Sequence, residues 1–381
     1  MTNHPAVLKR NELKSAFMHF FSNVSSYAQL DPEPLIPLDD KTVYYVSATI
    51  NRFKRQMVKG LAPDTGQVLH QRCLRLFSIN TILEDNQSPY FCYFSMLGIY
   101  RVSDKLAQVC EDLKKFLQTD LSLPSTKIKT VASEADRNVF GAAAVGLNAE
   151  FVEDSDEFAW KFGIPSVHGR GLLIQIESKS GEWREVGQII YLYKDNQPFG
   201  CELAMGVEML QWALSDESDF RKCWTVQNLA DEQNLPQDWR YLDSVSTLAT
   251  MYAAGTPNDN SKHGQLLKKV LRNLYYICEE QGISDDDVQR IFDSFSKVEL
   301  GVDLKQSSFT SDFIKIKEQS AHNLARFSEY VTELKEKVKS GELTMVTAFN
   351  RAAKKADGAS FVPKPVRDRV LQQNGIKPII G

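Results

Sequence analysis

The chain has 381 residues, 43% of them hydrophobic, so it can bury a sizeable core in two domains or one large one. Its 45 Lys and Arg residues against 49 Asp and Glu give a net charge of −4. This excludes an overall positive electrostatic field that would attract nucleic acid. The six cysteines form no C-x-x-C pair and no run of 18 apolar residues occurs, so we expect a cytoplasmic protein with reduced thiols and no membrane span.

The first half of the chain predicts a mainly antiparallel sheet. Apolar residues at helical spacing from Leu13 to Val24 predict an opening helix that ends near Ser25, and Ser103 opens a second helix. β-Branched and aromatic runs predict strands at residues 41–50, 68–77, 89–100, 171–178 and 185–193. The second and third of these strands are joined by a long polar loop. Because the strands follow one another with few helices between them, hairpin connections are favoured over βαβ units.

From about residue 241 the apolar pattern changes to a helical period. The helical segments are residues 240–255, 261–282, 285–298, 309–338, 343–356 and 364–375, and Gly, Pro or Ser-rich breaks separate them. A short helix at residues 205–215 closes the preceding half. The sequence therefore predicts an α+β chain in which a helix assembly follows the sheet.

Several short stretches match one known family in the same order. They are QRCLR at 71–75, YFSMLGIY at 93–100, the Trp-bearing 160–178, ELAMGVEML at 202–210 and TPNDNSKHGQLLKK at 256–269. These stretches resemble the motif 2 hairpin, a pocket segment, motif 3 and the acceptor-stem region of alanyl-tRNA synthetase, a class II aminoacyl-tRNA synthetase. We expect a shortened paralogue that lacks the editing and C-terminal domains of that family.

The resemblance implies a fold, an activity and partners. Residues 1–225 are expected to form a class II synthetase-like catalytic core, an antiparallel sheet flanked by helices. Residues 226–381 are expected to form an α-helical domain like the one that binds the tRNA acceptor stem. The implied activity is ATP-dependent activation of a small amino acid and its transfer to tRNA. An ATP or AMP-type nucleotide with Mg is the implied cofactor, and tRNA or aminoacyl-tRNA the implied macromolecular partner.

Four residues match the amino acid end of the family's site. Arg75 matches the motif 2 arginine that binds the α-phosphate and the amino acid carboxylate, and we take it as the catalytic candidate. Trp160 matches the pocket tryptophan. Glu202 stands where the family has the Asp that pairs with the substrate ammonium, and Gln188 stands where it has Asn. Opposite charges at Arg75 and Glu202 predict a site for a zwitterion.

Other positions depart from the family, mainly around the nucleotide. Ser95 replaces the motif 2 glutamate, Met209 the motif 3 arginine, and Leu173 an acidic strand residue. Loss of a phosphate-facing arginine removes a charge-assisted bond worth about 1.5 to 3 kcal/mol, which predicts a degenerate ATP site. His168 and Arg170 are additional polar groups that we assign to substrate binding, as a phosphate contact or a proton source.

The candidate nucleic-acid contacts lie in the second half. Asn258 falls in the loop that resembles the base-reading loop of the family. Lys268, Lys269 and Arg272 lie on the polar side of the following helix, from which they can contact phosphates without reading bases. The cysteine and histidine spacing predicts no metal site built from the protein's own side chains.

Three functions are compatible with these features. We favour a paralogue that binds a small amino acid or its activated form, as an adenylate or aminoacyl-tRNA, for aminoacyl activation or transfer. The first alternative is a non-catalytic protein that binds tRNA or aminoacyl-tRNA. The second is an enzyme of specialised metabolism that modifies an amino acid without tRNA. Each candidate residue also has a structural explanation, such as ion pairing for the arginines and packing for Trp160.

Overall fold

The structure is a computed structural model, and it describes residues 5–76, 78–84, 90–357 and 362–377. Contacts between residues divide the chain into two compact units. The sheet unit comprises residues 1–75 and 89–232, and the helical unit comprises residues 76–88 and 233–381. The segment between two strands of the sheet unit therefore belongs with the helices.

The sheet unit is built on one mostly antiparallel sheet. In chain order the described strands are β1 (Ala28–Gln29), β2 (Gln67–Leu74), β3 (Tyr93–Val102), β4 (Ile128–Ser133), β5 (Ala149–Val152), β6 (Ala159–Trp160), β7 (Val167–Glu177), β8 (Trp183–Lys194) and β9 (Gln197–Gly206). Their spatial order is β1-β2-β3-β9-β8-β7-β4-β5, with β6 paired to β7. Over the described residues the pairs β1–β2 and β4–β5 run parallel and the other pairs run antiparallel. The prediction of a mainly antiparallel sheet is confirmed.

Helices flank this sheet. They are α1 (Pro5–His19), α2 (Ile50–Val58), α3 (Leu106–Lys115), α4 (Arg137–Phe140), α5 (Val207–Ala213) and α6 (Thr225–Glu232). Helix α1 begins earlier than the apolar pattern predicts, and a π-helical turn carries it on to Val24, so its predicted end near Ser25 is confirmed. The predicted helix after Ser103 is also confirmed, as a 3-10 turn that leads into α3.

The prediction of a strand at residues 41–50 is wrong. That segment forms turns, and α2 begins at its last residue, Ile50. Its aromatic and β-branched side chains reflect burial rather than strand pairing, because Tyr45 and Val46 are both buried. Val46 connects this segment to its neighbours through two backbone hydrogen bonds. Its N–H donates to the Leu35 oxygen, and its oxygen accepts from the Leu74 N–H.

Side chains alternate along the strands and so create two faces of the sheet. On the first, which we call the core face, the sheet packs with α1, α3 and α5 in the larger hydrophobic core, which includes Leu97, Ile99, Leu172, Ile189 and Leu203. On the second, which we call the site face, a smaller apolar cluster packs with α2 and includes Phe53, Leu69, Tyr100, Ile190 and Leu192.

The helical unit contains the helices that the sequence predicts. They are α7 (Trp239–Ala253), α8 (Lys262–Gln281), α9 (Asp285–Phe295), α10 (Phe309–Lys339), α11 (Met345–Asp357) and α12 (Lys364–Gln373). Side-chain caps at Asp238, Ser261 and Ser284 begin α7, α8 and α9, and α8 ends at Gly282 in the left-handed conformation. The α+β prediction is confirmed. None of the described helices is both long enough and apolar enough to span a membrane.

The loop between β2 and β3 differs from its predicted polar character. Ile79, Ile82 and Leu83 of this loop are buried, although polar residues surround them in the sequence. Residues 85–89 of the same loop lie outside the described residues. The described part of the loop therefore contributes apolar side chains to the helical unit rather than being polar throughout.

Candidate functional site

The three polar candidates for amino acid binding that match the family, Arg75, Gln188 and Glu202, lie on or beside the site face. Gln188 on β8 alternates with Ile190, and Glu202 on β9 is the register partner of both Ile190 and Tyr100. Arg75 directly follows the end of β2. Since Ile190 and Tyr100 belong to the site-face cluster, Gln188 and Glu202 project to that same face.

Glu202 is a carboxyl buried within the sheet unit. Only 2% of it is exposed, and the Thr49 hydroxyl donates a hydrogen bond of 2.8 Å to its Oε1. Burial raises the pKa of Glu202 to about 8, and the bond from Thr49 opposes that rise. The group is therefore mostly protonated at neutral pH, and an approaching cation favours its ionised form.

Thr49 reaches Glu202 because the neighbouring strand carries a glycine. Gly98 on β3 is the register partner of Ala204 on β9. A Cβ atom at Gly98 would lie 2.6 Å from both Cβ and Cγ2 of Thr49, closer than carbon atoms approach one another. The absence of a side chain at Gly98 thus leaves the space that Thr49 fills.

We expect Gly98→Ala to destabilise the sheet unit by about 2 kcal/mol, because the added methyl overlaps Thr49 at an atom next to its backbone. Urea denaturation measures the change. The double variant Thr49→Gly/Gly98→Ala removes the overlap, and we expect a favourable coupling of at least about 1 kcal/mol between the two sites. Strictly additive single and double variants would contradict this packing.

Arg75 contacts the same short segment as Glu202. Its Nε donates to the Ser47 backbone oxygen at 2.8 Å, and its guanidinium lies 4.8 Å from the centre of the Phe94 ring. Ser47 and Thr49 are two residues apart, so the segment 47–49 receives a bond from Arg75 and donates one to Glu202. The structure thus brings both predicted charges to one segment of the sheet unit.

Trp160 and Gln188 lie near the apolar part of the site face. Trp160 on β6 is the register partner of Gly169, stacks almost parallel on Phe162 with ring centres 5.9 Å apart, and packs against the site-face cluster. A Cβ atom at Gly171 would lie 3.1 Å from the Gln188 Oε1, so the Gln188 side chain lies over that glycine. An aromatic wall and an amide group therefore accompany the two charges.

His168 and Arg170 lie on the opposite face. They alternate with Leu172 of the core-face cluster on β7, so their side chains project away from the site face. His168 stacks on Tyr193 with ring centres 5.3 Å apart, and the Arg170 Nε donates to the Asp136 Oδ2 at 2.7 Å. The structure does not bring these two predicted substrate-binding residues together with the others.

The positions that depart from the family divide between the two faces. Leu173 is buried on β7 as the register partner of Gln188, and Met209 packs over Gly206, where a Cβ would lie 3.0 Å from its Cγ. Ser95 projects to the core face, because it alternates with the site-face residues of β3.

Over the described residues no group of three His, Cys, Asp or Glu side chains is arranged to hold a metal ion.

The nucleic-acid candidates lie around α8 in the helical unit. Asn258 is exposed in the loop between α7 and α8. Lys268 donates to two oxygens of the same loop, at 2.8 and 3.3 Å. Lys269 donates to the Asn80 Oδ1, and Arg272 is half-buried one turn further along the helix. The structure thus links Lys268 to the loop of Asn258 but directs Lys269 to the segment between β2 and β3.

Sequence reasoning missed Ser47, Thr49 and Gly98. Ser47 and Thr49 fall in the segment 41–50, where a strand was predicted and the side-chain directions were therefore wrong. Thr49 and Glu202 are separated by 153 positions in the chain, and no local pattern predicts such a contact. Gly98 carries a usable signal, because a glycine inside an apolar strand often marks the close approach of another group.

The antiparallel sheet, the helices that follow it and the ordered sequence stretches give the chain a fold like that of class II aminoacyl-tRNA synthetases. Among curated proteins it is similar to several alanine–tRNA ligases. The ligase of Endomicrobium trichonymphae is 20% identical over 88% of this chain and 43% of its own length. That of Chlorobium phaeovibrioides is 29% identical over 74% and 37%, and that of Shewanella loihica 23% over 68% and 35%. The predicted resemblance is confirmed, and the chain spans less than half the length of these relatives.

No family model matches the chain. Among solved structures, asparaginyl-tRNA synthetase of Entamoeba histolytica in complex with asparaginyl-adenylate aligns with a TM-score of 0.37 and 12% identity, over 58% of this chain and 66% of that one. A second structure of the same synthetase aligns with a TM-score of 0.36 and 10% identity, over 58% and 65%. The relationship to ligases therefore rests on the sequence relatives.

Proposed function

We propose that this chain is a synthetase-like paralogue that binds a small amino acid, or its activated adenylate or aminoacyl-tRNA form, for aminoacyl activation or transfer. The observation that carries the proposal is the buried carboxyl of Glu202, bonded to Thr49 on the site face. Burial of an ionised carboxyl is unfavourable because the charge loses its hydration. A cationic ligand that pairs with the carboxylate offsets this loss.

The upper limit on the separation of Arg75 and Glu202 leaves room for a small zwitterion between them. The segment from the Ser47 oxygen to the Thr49 hydroxyl spans at most about 8 Å, so Arg75 and Glu202 place their bonded atoms within about 14 Å. An α-amino acid with one hydrogen bond at each end spans about 9 Å. The ammonium would bind the Glu202 carboxylate, and the carboxylate or α-phosphate would bind Arg75. Trp160 would form a wall of the pocket and Gln188 would supply a hydrogen bond.

Two residues of the site face support the inference that it does not hold a magnesium–triphosphate. Leu173 and Met209 present apolar side chains there, and neither balances the charge of a triphosphate. An adenylate carries one phosphate charge, which a single arginine such as Arg75 can balance. The arrangement therefore favours a ligand that arrives already activated over ATP itself.

The proposal is tested by titrating small amino acids and their non-hydrolysable adenylate analogues into the protein in a calorimeter. We expect at least one analogue to bind, and Arg75→Gln to weaken it at least about tenfold. Arg101→Gln is the matched control, because Arg101 also donates from Nε to a backbone oxygen at 2.8 Å and lies 5.1 Å from a ring, that of Tyr27. We expect it to bind like the wild type.

Two results would contradict the proposal. The first is that neither amino acids nor adenylate analogues bind. The second is that Arg75→Gln and Arg101→Gln weaken binding equally. Pyrophosphate exchange with ATP separates activation from the use of a preformed adenylate: exchange supports activation, and analogue binding without exchange supports transfer.

A non-catalytic tRNA-binding protein is the second candidate. The basic side chains of α8 favour it, since Lys269 lies on the helix face that carries Arg272. Tight, salt-sensitive tRNA binding by a chain that binds neither an amino acid nor an adenylate analogue would support this candidate over the first.

A further inference from the structure

We propose that Asn51 on α2 is a positioning residue of the candidate site, because its side chain holds the segment 47–49 that contacts both Arg75 and Glu202. Asn51 would act on a ligand through this segment rather than by contacting the ligand itself. The inference rests on the proposed function, and it deepens that function by naming the residue that fixes the separation of the two charges.

One oxygen of Asn51 accepts two hydrogen bonds from the backbone of this segment. The Ser47 N–H donates to the Asn51 Oδ1 at 3.0 Å, and the Ala48 N–H donates to the same atom at 3.1 Å. The Asn51 N–H in turn donates to the Ala48 oxygen at 3.2 Å. A side chain that reaches back from the start of a helix in this way resembles one half of a capping box. Three bonds therefore tie Asn51 to two consecutive residues.

The peptide group between Ser47 and Ala48 joins Asn51 to Arg75. Its N–H, which belongs to Ala48, donates to Asn51, and its carbonyl, which belongs to Ser47, accepts from the Arg75 Nε at 2.8 Å. Because a peptide group is planar, a bond that fixes its N–H also fixes the direction of its carbonyl. Bonds at the two ends of one peptide group polarise it and strengthen each other. The Arg75 side chain is therefore oriented by a carbonyl that Asn51 keeps in place.

The same side chain limits the movement of Thr49. Thr49 is fully buried, and its hydroxyl donates to the Glu202 Oε1 at 2.8 Å. Its backbone oxygen accepts from the Arg52 N–H at 3.0 Å, in the first turn of α2. Thr49 is thus held by the helix on one side and, through Ala48, by Asn51 on the other. Loss of the Asn51 side chain would release one of these two attachments and loosen the bond to Glu202.

The Asn51 amide can place only its oxygen at this position. Both groups that it meets there are N–H donors, and a side-chain amide accepts only through its oxygen. The Nδ2 of the same amide is buried and has no hydrogen-bond partner among the described residues. A carboxylate offers the same acceptor without the unsatisfied donor, so Asn51→Asp is the conservative substitution.

The test compares Asn51→Ala and Asn51→Asp in calorimetric titrations with glycine, alanine and serine and with their non-hydrolysable adenylate analogues. For the probe that binds the wild type, we expect Asn51→Ala to weaken binding at least about tenfold, because the two charges are no longer held at one separation. We expect Asn51→Asp to bind within about threefold of the wild type, because its carboxylate still accepts from both N–H groups.

Asn148→Gly is the matched control. The Asn148 Nδ2 also makes two bonds to the backbone, to the oxygens of Ser125 and Ile128 at 2.7 and 2.8 Å, but Asn148 directly precedes the edge strand β5. Its backbone is left-handed, a conformation that glycine adopts without strain. The variant therefore removes two side-chain bonds from the sheet unit, and we expect it to bind the probes like the wild type.

A second measurement needs no ligand. The Thr49 bond lowers the pKa of Glu202 against the rise that burial causes, and the ionisable neighbour of this carboxyl is Tyr100 on β3. Asn51→Ala is expected to raise the pKa of Glu202 by about half a pH unit or more, because the Thr49 bond is loosened. Carbon-13 NMR of glutamate-labelled protein follows this pKa, and the signal is assigned by its absence from Glu202→Gln. Asn148→Gly is expected to leave it unchanged.

The outcomes separate a positioning residue from a helix cap. If Asn51→Ala is less stable but binds the probe like the wild type, Asn51 only caps α2 and the proposal is wrong. The proposal is also wrong if Asn148→Gly weakens binding as much as Asn51→Ala does. If the wild type binds none of the probes, the proposed function fails. A raised pKa of Glu202 in Asn51→Ala alone would then still support positioning by Asn51, and an unchanged pKa would exclude it.

Discussion

Glu202→Gln is expected to weaken binding of an amine ligand at least about a hundredfold, because the variant keeps the shape of the side chain but cannot become an anion. The Thr49 hydroxyl can still donate to the amide oxygen, so the local packing of the site face is retained. Calorimetry with the amino acid or adenylate analogue that binds the wild type measures the loss. Glu150→Gln is the control, since Glu150 is an exposed residue of β5 whose partner is Lys129.

The raised pKa of Glu202 makes this binding depend on pH. At pH 7 the free protein holds a proton on this carboxyl, and the proposed ammonium ligand would pair with its ionised form. Affinity is therefore expected to rise with pH up to about 8, and binding near pH 7 is expected to release a proton. Titrations in buffers of different ionisation enthalpy measure the released proton. Proton release that persists in Glu202→Gln would assign it to another group.

The same carboxyl lowers stability as the pH rises. Its pKa is about 8 in the folded chain against 4.5 as the ordinary value, so between these values the folded chain holds a proton that the unfolded chain has lost. The free energy of unfolding therefore falls across this window, by at most about 5 kcal/mol. Glu202→Gln lacks this dependence and is expected to be more stable than the wild type at pH 9. Parallel pH profiles of unfolding for the two proteins would contradict a buried carboxyl.

The helices of the second half follow directly from the sequence, because each carries an apolar stripe of helical period, and α7, α8 and α9 each begin at a capping side chain. The strands follow less directly from the sequence. Residues 41–50 have the composition of a strand, but they use it to bury Tyr45 and Val46 in a turn-rich segment. The sequence does not predict strand β9, because glycine, proline and alanine interrupt the alternation of apolar residues along it. Its place in the sheet depends on pairing with β3, which is distant in the sequence, and with β8.

In the candidate site, too, some residues can be predicted from the sequence and others depend on tertiary contacts. The resemblance selected Arg75 and Glu202, and the structure brings both to one short segment. The same resemblance gave no means of separating His168 and Arg170 from them, because the face on which a strand residue lies depends on register. Thr49 was not predicted because its contact with Glu202 depends on the position of a third residue, Gly98.

Arg10→Leu is expected to reduce the free energy of unfolding of the sheet unit by about 3 to 5 kcal/mol, because it removes a buried charge and leaves its partners unsatisfied. Arg10 on α1 is 1% exposed. Its guanidinium donates to the Thr225 hydroxyl at 2.7 Å, to the Asn228 Oδ1 at 3.0 Å, to the Gln211 Oε1 at 3.4 Å and to the Cys223 backbone oxygen. One side chain thus joins the opening helix to residues more than 200 positions away.

Urea denaturation with a probe in the sheet unit measures this effect, as a lower midpoint at an unchanged slope. Arg55→Leu is the control for removing an arginine as such. Arg55 pairs with Asp39 where both side chains are about two-thirds exposed, so we expect a change below about 1 kcal/mol. Equal effects of the two substitutions would show that Arg10 contributes no more than a surface ion pair. A large effect of Arg10→Leu alone would show that the sheet unit depends on α1, so that removal of the first residues of the chain would also disturb the sheet that carries Glu202.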